Sequence, residues 1–436
     1  MIDTNSTVNT HGRYGRFLEK YISFKSVSTS LLYKSEHKEC SVWLKNIFGE
    51  NGLSTNVHAG YGNPIILASY HVNTSLPTCL IYGHYDVQPA DIKDGWESDP
   101  FTLRNDGNKL YGRGVADNKG QTLIHMVSVF DLIKKNKLGM NVIFLIEGDE
   151  ETGGADFDRF IADHKEKLNA DFVLISDGEM KGNKPTIEAG LRGGFNMTLA
   201  VTTGQKDLHS GLYGSAVPNA IHELSKILSK IHGERNKILV PGFYNNVDPL
   251  PATNSVSGVS SPNEHALENF SEYDFYTQTG LMPAIEVSGI QAGYNGEGYR
   301  NSIPASAIAK INVRLVKSQE ADELFNLFEQ FVTDSLPHYT SYMLTFDHAH
   351  NAVKLDADNK YVQKASKIIK DVYNIEPIFT FSGGAIPVVE LFTNHLKIPT
   401  ILANLANEDC NMHAPNENFD IEFIKKGLQF SKQFFS

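Results

Sequence analysis

Val142-Ile143-Phe144-Leu145-Ile146-Glu147-Gly148-Asp149-Glu150-Glu151-Thr152-Gly153-Gly154 is an apolar run that ends in four carboxylates. Five consecutive aliphatic or aromatic residues read as a strand buried on both faces, as in a parallel sheet. Ligands of open α/β sheets bind at the carboxyl ends of such strands. Crowding negative charge at that point is costly without cations, because neighbouring like charges disfavour ionisation. Taken alone, the acidic run reads as a solvated loop. What changes the reading is that other strands of the chain end in the same way.

Thr78–Tyr82 is a second buried-strand candidate, and it runs into Gly83-His84-Tyr85-Asp86-Val87-Gln88-Pro89. His84 and Asp86 are two apart, so on an extended backbone both point to one face. That pattern suits a ligating imidazole oriented by a carboxylate on its other ring nitrogen. Phe172–Ile175 is followed by Ser176-Asp177-Gly178. Gly112–Gly120 carries Asp117 just before a helix over Gln121–Lys134, where Leu123, Met126, Val127, Phe130 and Ile133 recur at helical spacing. By itself Asp117 reads as a helix N-cap. The glycines around it do not make a phosphate loop, since GxxxxGK followed by Ser or Thr is absent. Far along the chain lies Asn411-Met412-His413-Ala414-Pro415-Asn416-Glu417. Two imidazoles and several carboxylates fit zinc, manganese or cobalt without any thiolate.

Composition narrows the classes. At 436 residues, two or three domains are expected. With 41% hydrophobic and 21% charged residues, the chain reads as an ordinary soluble protein with a large core. A net charge of -12 argues against nucleic acid, which needs clustered Lys and Arg. Cys40, Cys79 and Cys410 are few, odd in number and widely spaced, which fits a reducing compartment and no disulfide framework. Met1 to Thr10 is polar, with no apolar signal core, and no apolar run of membrane-spanning length occurs. A cytoplasmic enzyme that engages neither nucleic acid nor membrane is the expectation.

The first 190 or so residues alternate helical and strand-like segments, the α/β signature. Helices are predicted at Gly15–Ile22 and Cys40–Phe48, and strands at Ile65–Tyr70 and Asn141–Ile146 besides those above. Gly190-Leu191-Arg192-Gly193-Gly194 marks a boundary, followed by alternating Phe195-Asn196-Met197-Thr198-Leu199. From there to about Asn351 the chain reads as α+β, with a helix at Pro218–His232 and a strand at Lys310–Val316. Pro241–His265 has little periodicity, and such loops are usually functional or mobile. α/β character returns with a helix at Lys360–Tyr373 and a strand at Thr400–Ala403. The expected architecture is an α/β catalytic domain, 1–192 and 352–436, with a mixed, mostly parallel sheet flanked by helices. It is interrupted by an inserted α+β lid or dimerisation domain, 193–351.

At this point the residues resemble the M20 metallopeptidases, in particular the cytosolic dipeptidases of the carnosinase and Cys-Gly dipeptidase branch. Tyr82–Pro89, Gly112–Gly120, Glu147–Gly153, Ser176–Gly178, Asp207–Gly214 and the His413 loop fall in that family's order. The resemblance runs from about Gly12 to the end of the sequence. It implies two divalent ions per subunit, zinc foremost, with manganese or cobalt also fitting. Asp117 is implied to bridge them, with His84 and Asp177 on one and Glu151 and His413 on the other. Asp86 is implied as the partner of His84, Glu150 as general base, and the Asp117–Asn118 bond as often cis. His209, in Asp207-Leu208-His209-Ser210-Gly211, is implied to cross a homodimer interface and stabilise the oxyanion. Arg314 is implied to bind the substrate's terminal carboxylate, and Asn301, Ser382, Gly383 and Gly384 to touch substrate backbone. The sequence departs from the dipeptidases at Ala385, where Ser is common, and at Asp149, where Met is common.

The resemblance thus implies metal-dependent hydrolysis of dipeptides or short peptides with a free C-terminal carboxylate. An N-acyl amino acid deacylase or deacetylase on the same scaffold is the alternative, because both cleave an amide beside a carboxylate. A catalytically inactive binding relative is the reading from a different class. Against it, every ligand position and the base are filled.

Overall fold

The computed structural model describes residues 12–154, 156–250, 270–383 and 387–436. Gly384 and Ala385 lie outside them, as do residues 251–265 of the aperiodic stretch. The chain divides into two compact units. The first comprises Met1–Ala189, Leu355–Phe379 and Leu391–Ser436; the second comprises Gly190–Lys354 and Thr380–Glu390. Nothing in the composition of Thr380–Glu390 marks that second return.

In the first unit a mixed sheet runs in the order Ser54–His58, Ile65–Tyr70, Asn141–Glu147, Thr78–His84, Phe172–Ile175, Thr400–Asn404 and Thr186–Leu191. Its central four strands, Asn141–Glu147 to Thr400–Asn404, are mutually parallel, and the outer pairings are antiparallel. Their apolar sequence follows from that position: all seven residues of Asn141–Glu147 and all four of Phe172–Ile175 are buried. The chain leaves Thr78–His84, places Asn141–Glu147 on one side of it and Phe172–Ile175 on the other. Strand order therefore reverses at Thr78–His84, the place in such sheets where ligand sites are expected.

The helix Lys119–Lys134 connects those strands, and it packs against Thr78–His84, Arg13–Ile22 and Ile421–Phe435. The spacing of its apolar residues suggests one buried face, yet nearly the whole helix is buried. Its polar residues are accommodated by bonds: Gln121 Nε2 donates to Ala116 O at 2.8 Å, and Gln121 Oε1 accepts from Leu405 N at 3.0 Å. His125 lies 3.0 Å from both Ser431 Oγ and Ser176 Oγ. Burial depresses that imidazole to about 3, so it stays neutral.

The second unit carries a four-stranded antiparallel sheet in the order Ala284–Ala292, Ser306–Leu315, Gly193–Thr202, Ser341–His350. Alternation decides its faces. Phe195, Met197, Leu199 and Val201 are buried, while Asn196 and Thr202 are exposed. Helix Ala220–Ile231 contributes Leu224, Ile227 and Ile231 to that core, and helix Ala321–Ser335 contributes Leu324, Phe328 and Val332. Among the described residues no helix is long and apolar enough to cross a membrane.

Candidate metal centre

Three parallel strands deliver the first side chains. His84 is the last residue of Thr78–His84 and pairs with Glu147, the last of Asn141–Glu147; Asp177 follows Phe172–Ile175 by two. His84 Nε2 lies 3.1 Å from Asp117 Oδ1 and 3.6 Å from Asp177 Oδ2. The other oxygen of Asp117, Oδ2, lies 2.8 Å from His413 Nε2, which is itself 3.3 Å from Glu151 Oε2. Donor atoms of His84, Asp117 and Asp177 sit within 4.8 Å of one another, as do those of Asp117, Glu151 and His413. Asp117 belongs to both groups through different oxygens.

That carboxylate is not a helix cap. The N-cap of Lys119–Lys134 is Asn118, whose side chain turns away from the helix amides. Instead Asn118 Nδ2 donates to Asp177 Oδ1 at 2.7 Å and to Ser176 O at 2.6 Å. The Asp117–Asn118 peptide bond is cis. His413 is half exposed, in a left-handed conformation (φ 61) within the loop 411–416.

Asp86 stays beside His84, as its spacing suggests, and takes a second part as well. His84 Nδ1 makes its hydrogen bond to the Asp86 backbone carbonyl, at 3.0 Å, while the carboxylate stands 3.4 Å away. Both Asp86 oxygens accept backbone amides, Glu150 N at 3.2 Å and Glu151 N at 3.0 Å. Asp86 therefore fixes the turn that carries Glu150 and Glu151. Of the four acids of this run, Glu151 is the one whose carboxylate meets an imidazole, His413. Glu147 is buried, accepts from Tyr82 Oη at 2.6 Å, and is pushed up to about 8 by burial. Asp149 is engaged by Asn63.

Electrostatics describe a site short of positive charge. Burial would raise Asp117, but hydrogen bonds from His413 and His84 outweigh it and hold the carboxyl below its ordinary range. Burial, and then the charges of Asp177 and Asp117, push Glu150 well above the usual carboxylate range against the pull of His84. His413 is raised to about 10 by its bonds to Asp117 and Glu151. In His84, burial favours the neutral ring, yet Asp177 and the other carboxylates prevail and raise it well above the ordinary value. The carboxylates thus favour the charged form of both imidazoles. Divalent cations would replace the protons of that form, because ligands must be deprotonated to bind. The donors are oxygen and imidazole nitrogen only, a set that zinc, manganese and cobalt accept.

Several supporting residues carry no signal in the sequence. Glu417 is fully buried; its Oε1 accepts from Ala116 N at 2.8 Å and Asp117 N at 3.0 Å. Its Oε2 accepts from Gly114 N at 2.9 Å and Arg113 Nη1 at 2.8 Å. One carboxylate so holds the whole backbone approach to Asp117. Gln88 Nε2 donates to Glu151 Oε2 at 2.7 Å.

His209, Asn301, Arg314, Ser382 and Gly383 belong to the second unit. Leu208–His209 pairs with Ser302–Ile303, and Ser210 N donates to Asn301 O at 3.1 Å, so His209 and Asn301 are neighbours. His209 is exposed, its Nδ1 accepting from Gly211 N at 3.0 Å. Arg314 lies opposite Gly194 and Ala284. Burial lowers its guanidinium, and burial together with Arg314 lowers Arg192 to about 10. Arg192 N donates to Ser382 O at 3.0 Å, which ties the Ser382–Gly383 segment to the strand entry.

Removing the negative partner of a buried pair strands the positive one, at about 3–5 kcal/mol. Glu417→Gln is therefore expected to lower unfolding free energy by about that amount. It should also reduce bound metal while leaving every donor residue in place. Urea unfolding and metal analysis check this; parent-like stability with full metal content would contradict it.

Comparison with known proteins follows the same lines. A sequence profile described as "Peptidase family M20/M25/M40" matches residues 80–436. The Cys-Gly metallodipeptidase DUG1 of Candida albicans is 31% identical over 392 residues, covering 84% of this chain and 79% of that protein. The human Beta-Ala-His dipeptidase is 28% identical over 392 residues, covering 85% of this chain and 77% of that protein. Among solved structures, an M20 family metallo-carboxypeptidase from Sulfolobus solfataricus superposes with a TM-score of 0.83 at 28% identity, over 97% of this chain and 98% of that one. Human carnosine dipeptidase 1 shares the fold, with a TM-score of 0.79 at 24% identity, over 97% of this chain and 95% of that one. Since the profile match takes in both donor groups and the turn between them, the chain belongs to the M20/M25/M40 family of peptidases.

Proposed function

We propose that this chain is a metal-dependent dipeptidase, hydrolysing dipeptides or short peptides that carry a free C-terminal carboxylate. One observation carries the reading: Asp117 offers Oδ1 to the His84 and Asp177 group and Oδ2 to the His413 and Glu151 group. A single carboxylate so placed suits two divalent ions per subunit, zinc foremost and manganese or cobalt as alternatives. When bound, such a pair supplies Lewis-acid polarisation of the scissile carbonyl and acidifies water. Glu150 takes the proton of the attacking water and returns it to the leaving amine. Burial suits it to that task, because a base works best with its pKa near the working pH. Asp86 fixes the Glu150 turn through two amide bonds.

The relatives' names support the substrate class. One is called a Cys-Gly metallodipeptidase and another a Beta-Ala-His dipeptidase, which favours dipeptides over N-acyl amino acids. A second reading rests on the Sulfolobus solfataricus protein, which is named a metallo-carboxypeptidase. Both activities need recognition of a terminal carboxylate. Arg314 is assigned to that carboxylate, since a planar guanidinium binds it through two parallel bonds. Asn301, Ser382, Gly383 and Gly384 are assigned to the substrate backbone. The first domain, 1–192 and 352–436, is read as catalytic, and 193–351 as a lid and dimerisation domain. His209 is assigned to the partner subunit's oxyanion in a cytoplasmic homodimer.

Purified protein supplied in turn with zinc, manganese and cobalt should cleave a dipeptide panel. Glu150→Gln should lose roughly 10²–10⁴-fold in kcat with metal content kept, because the amide cannot accept the proton. Cleavage of N-acetyl amino acids alone would assign a deacylase; sequential C-terminal trimming of long peptides, with dipeptides left intact, would assign a carboxypeptidase.

The crossing of His209 has its own test. His209→Ala and Glu150→Gln should each be nearly inactive, the first because a lost oxyanion donor costs about 2.7–4 kcal/mol. After subunit exchange, half the dimers are mixed and each has one good site, so activity should return to about a quarter of the parent. Mixed dimers that stay inactive would place the action of His209 within its own subunit.

A further inference from the structure

Asp149 departs from the dipeptidase pattern, and the structure gives that departure a use. Both of its carboxylate oxygens are taken by one residue: Asn63 N donates to Oδ2 at 2.6 Å and Asn63 Nδ2 donates to Oδ1 at 2.5 Å. Asn63 Nδ2 also donates to Gly148 O at 3.1 Å. The loop carrying Asn63 lies flush against the turn. Gly62 (φ 82) has no room for a side chain beside the Asp149 carboxylate, and Gly148 has none beside the Tyr85 hydroxyl. Tyr85 Oη in turn donates to Pro64 O at 2.8 Å. From Asp149 the chain enters the turn Glu150–Thr152, and the Asp149 carbonyl accepts Thr152 N at 3.2 Å and Gly154 N at 2.9 Å.

We propose that Asn63 and Asp149 form a clasp that positions Glu150, making both of them positioning residues for the hydrolytic reaction. The inference rests on the reading of Glu150 as general base. Glu150 follows Asp149 directly at the start of the turn Glu150–Thr152, so whatever anchors Asp149 fixes the backbone from which the Glu150 carboxylate projects. Asp86 holds the turn by the amides of Glu150 and Glu151, and the clasp holds it from the preceding residue. A turn fixed at one end only can swing about that end. A displacement of about 1 Å in a reacting group is enough to cost roughly 10²-fold in rate.

The test combines kinetics with hydrogen exchange in Asn63→Ala, Asp149→Ala, their double variant, Asn63→Asp, and Asn63→Asp with Asp149→Asn. Each single alanine variant should lower kcat by about 10- to 100-fold with KM and metal content close to the parent. The double variant should be no worse than the worse single, since both remove one interaction. Asn63→Asp sets two carboxylates face to face and should fall at least as far. Adding Asp149→Asn restores a donor opposite an acceptor, though not the bond to the Gly148 carbonyl, and should raise kcat above that of Asn63→Asp alone. In metal-free protein, amides of residues 147–154 should exchange faster in Asn63→Ala than in the parent, with the rest of the chain unchanged. Parent-like kcat in both alanine variants, a swap no more active than Asn63→Asp alone, or unchanged exchange over 147–154 would overturn the clasp. If Glu150→Gln itself turned over normally, the general-base reading would fall, and the exchange measurement would still decide whether the clasp holds the turn.

Discussion

Negative charge concentrated at the carboxyl ends of parallel strands is the constraint around which this protein is built. Asp117, Asp177 and Glu151 converge on two imidazoles, His84 and His413, with Glu150 within reach of their charges, and Asp117 touches both. Such a group of carboxylates is stable only with compensating positive charge. The donor set, carboxylate oxygen and imidazole nitrogen only, invites divalent cations to supply it. The sheet makes this possible because strand order reverses at Thr78–His84, which leaves the ends of three strands open to a common space.

Holding the donors in place falls to residues outside the donor set. Glu417 gathers three backbone amides and Arg113 around the approach to Asp117. Asn118 locks Asp177. Asp86 and Asn63 fix the turn of Glu150 and Glu151 from its two sides. These are charge-assisted or buried bonds, the kind whose loss leaves an unpaired group rather than a mere gap. Rigidity of the centre is therefore bought mostly outside it.

The sequence made the donors legible and left their supports hidden, for a physical reason. A buried strand has a local signature, and a carboxylate or histidine just after it is visible in the same few residues; His84, Asp177 and the Glu150–Glu151 pair are read that way. Helix Lys119–Lys134 is visible through its apolar spacing, though burial on nearly every side is not, because that depends on what packs against Gln121 and His125. Asp117 by itself looked like a cap and required the ordered motifs of the family to be read otherwise. Asn63 reaches Asp149 across 86 residues, and Glu417 reaches Asp117 across 300, so no local pattern announces either bond. The spacing of His84 and Asp86 puts both on one face and the carboxylate stands 3.4 Å from the ring nitrogen, but nothing in that spacing announces that the same carboxylate also accepts the amides of the neighbouring turn.

The central claim is that Asp117 is shared between two cations. Anomalous diffraction from crystals of the zinc-loaded protein, collected on either side of the zinc edge, tests it most directly. The account predicts two zinc peaks per chain, one against His84 and Asp177 and one against Glu151 and His413, with the Asp117 carboxylate between them. A single peak, or two peaks of which only one contacts Asp117, would contradict it.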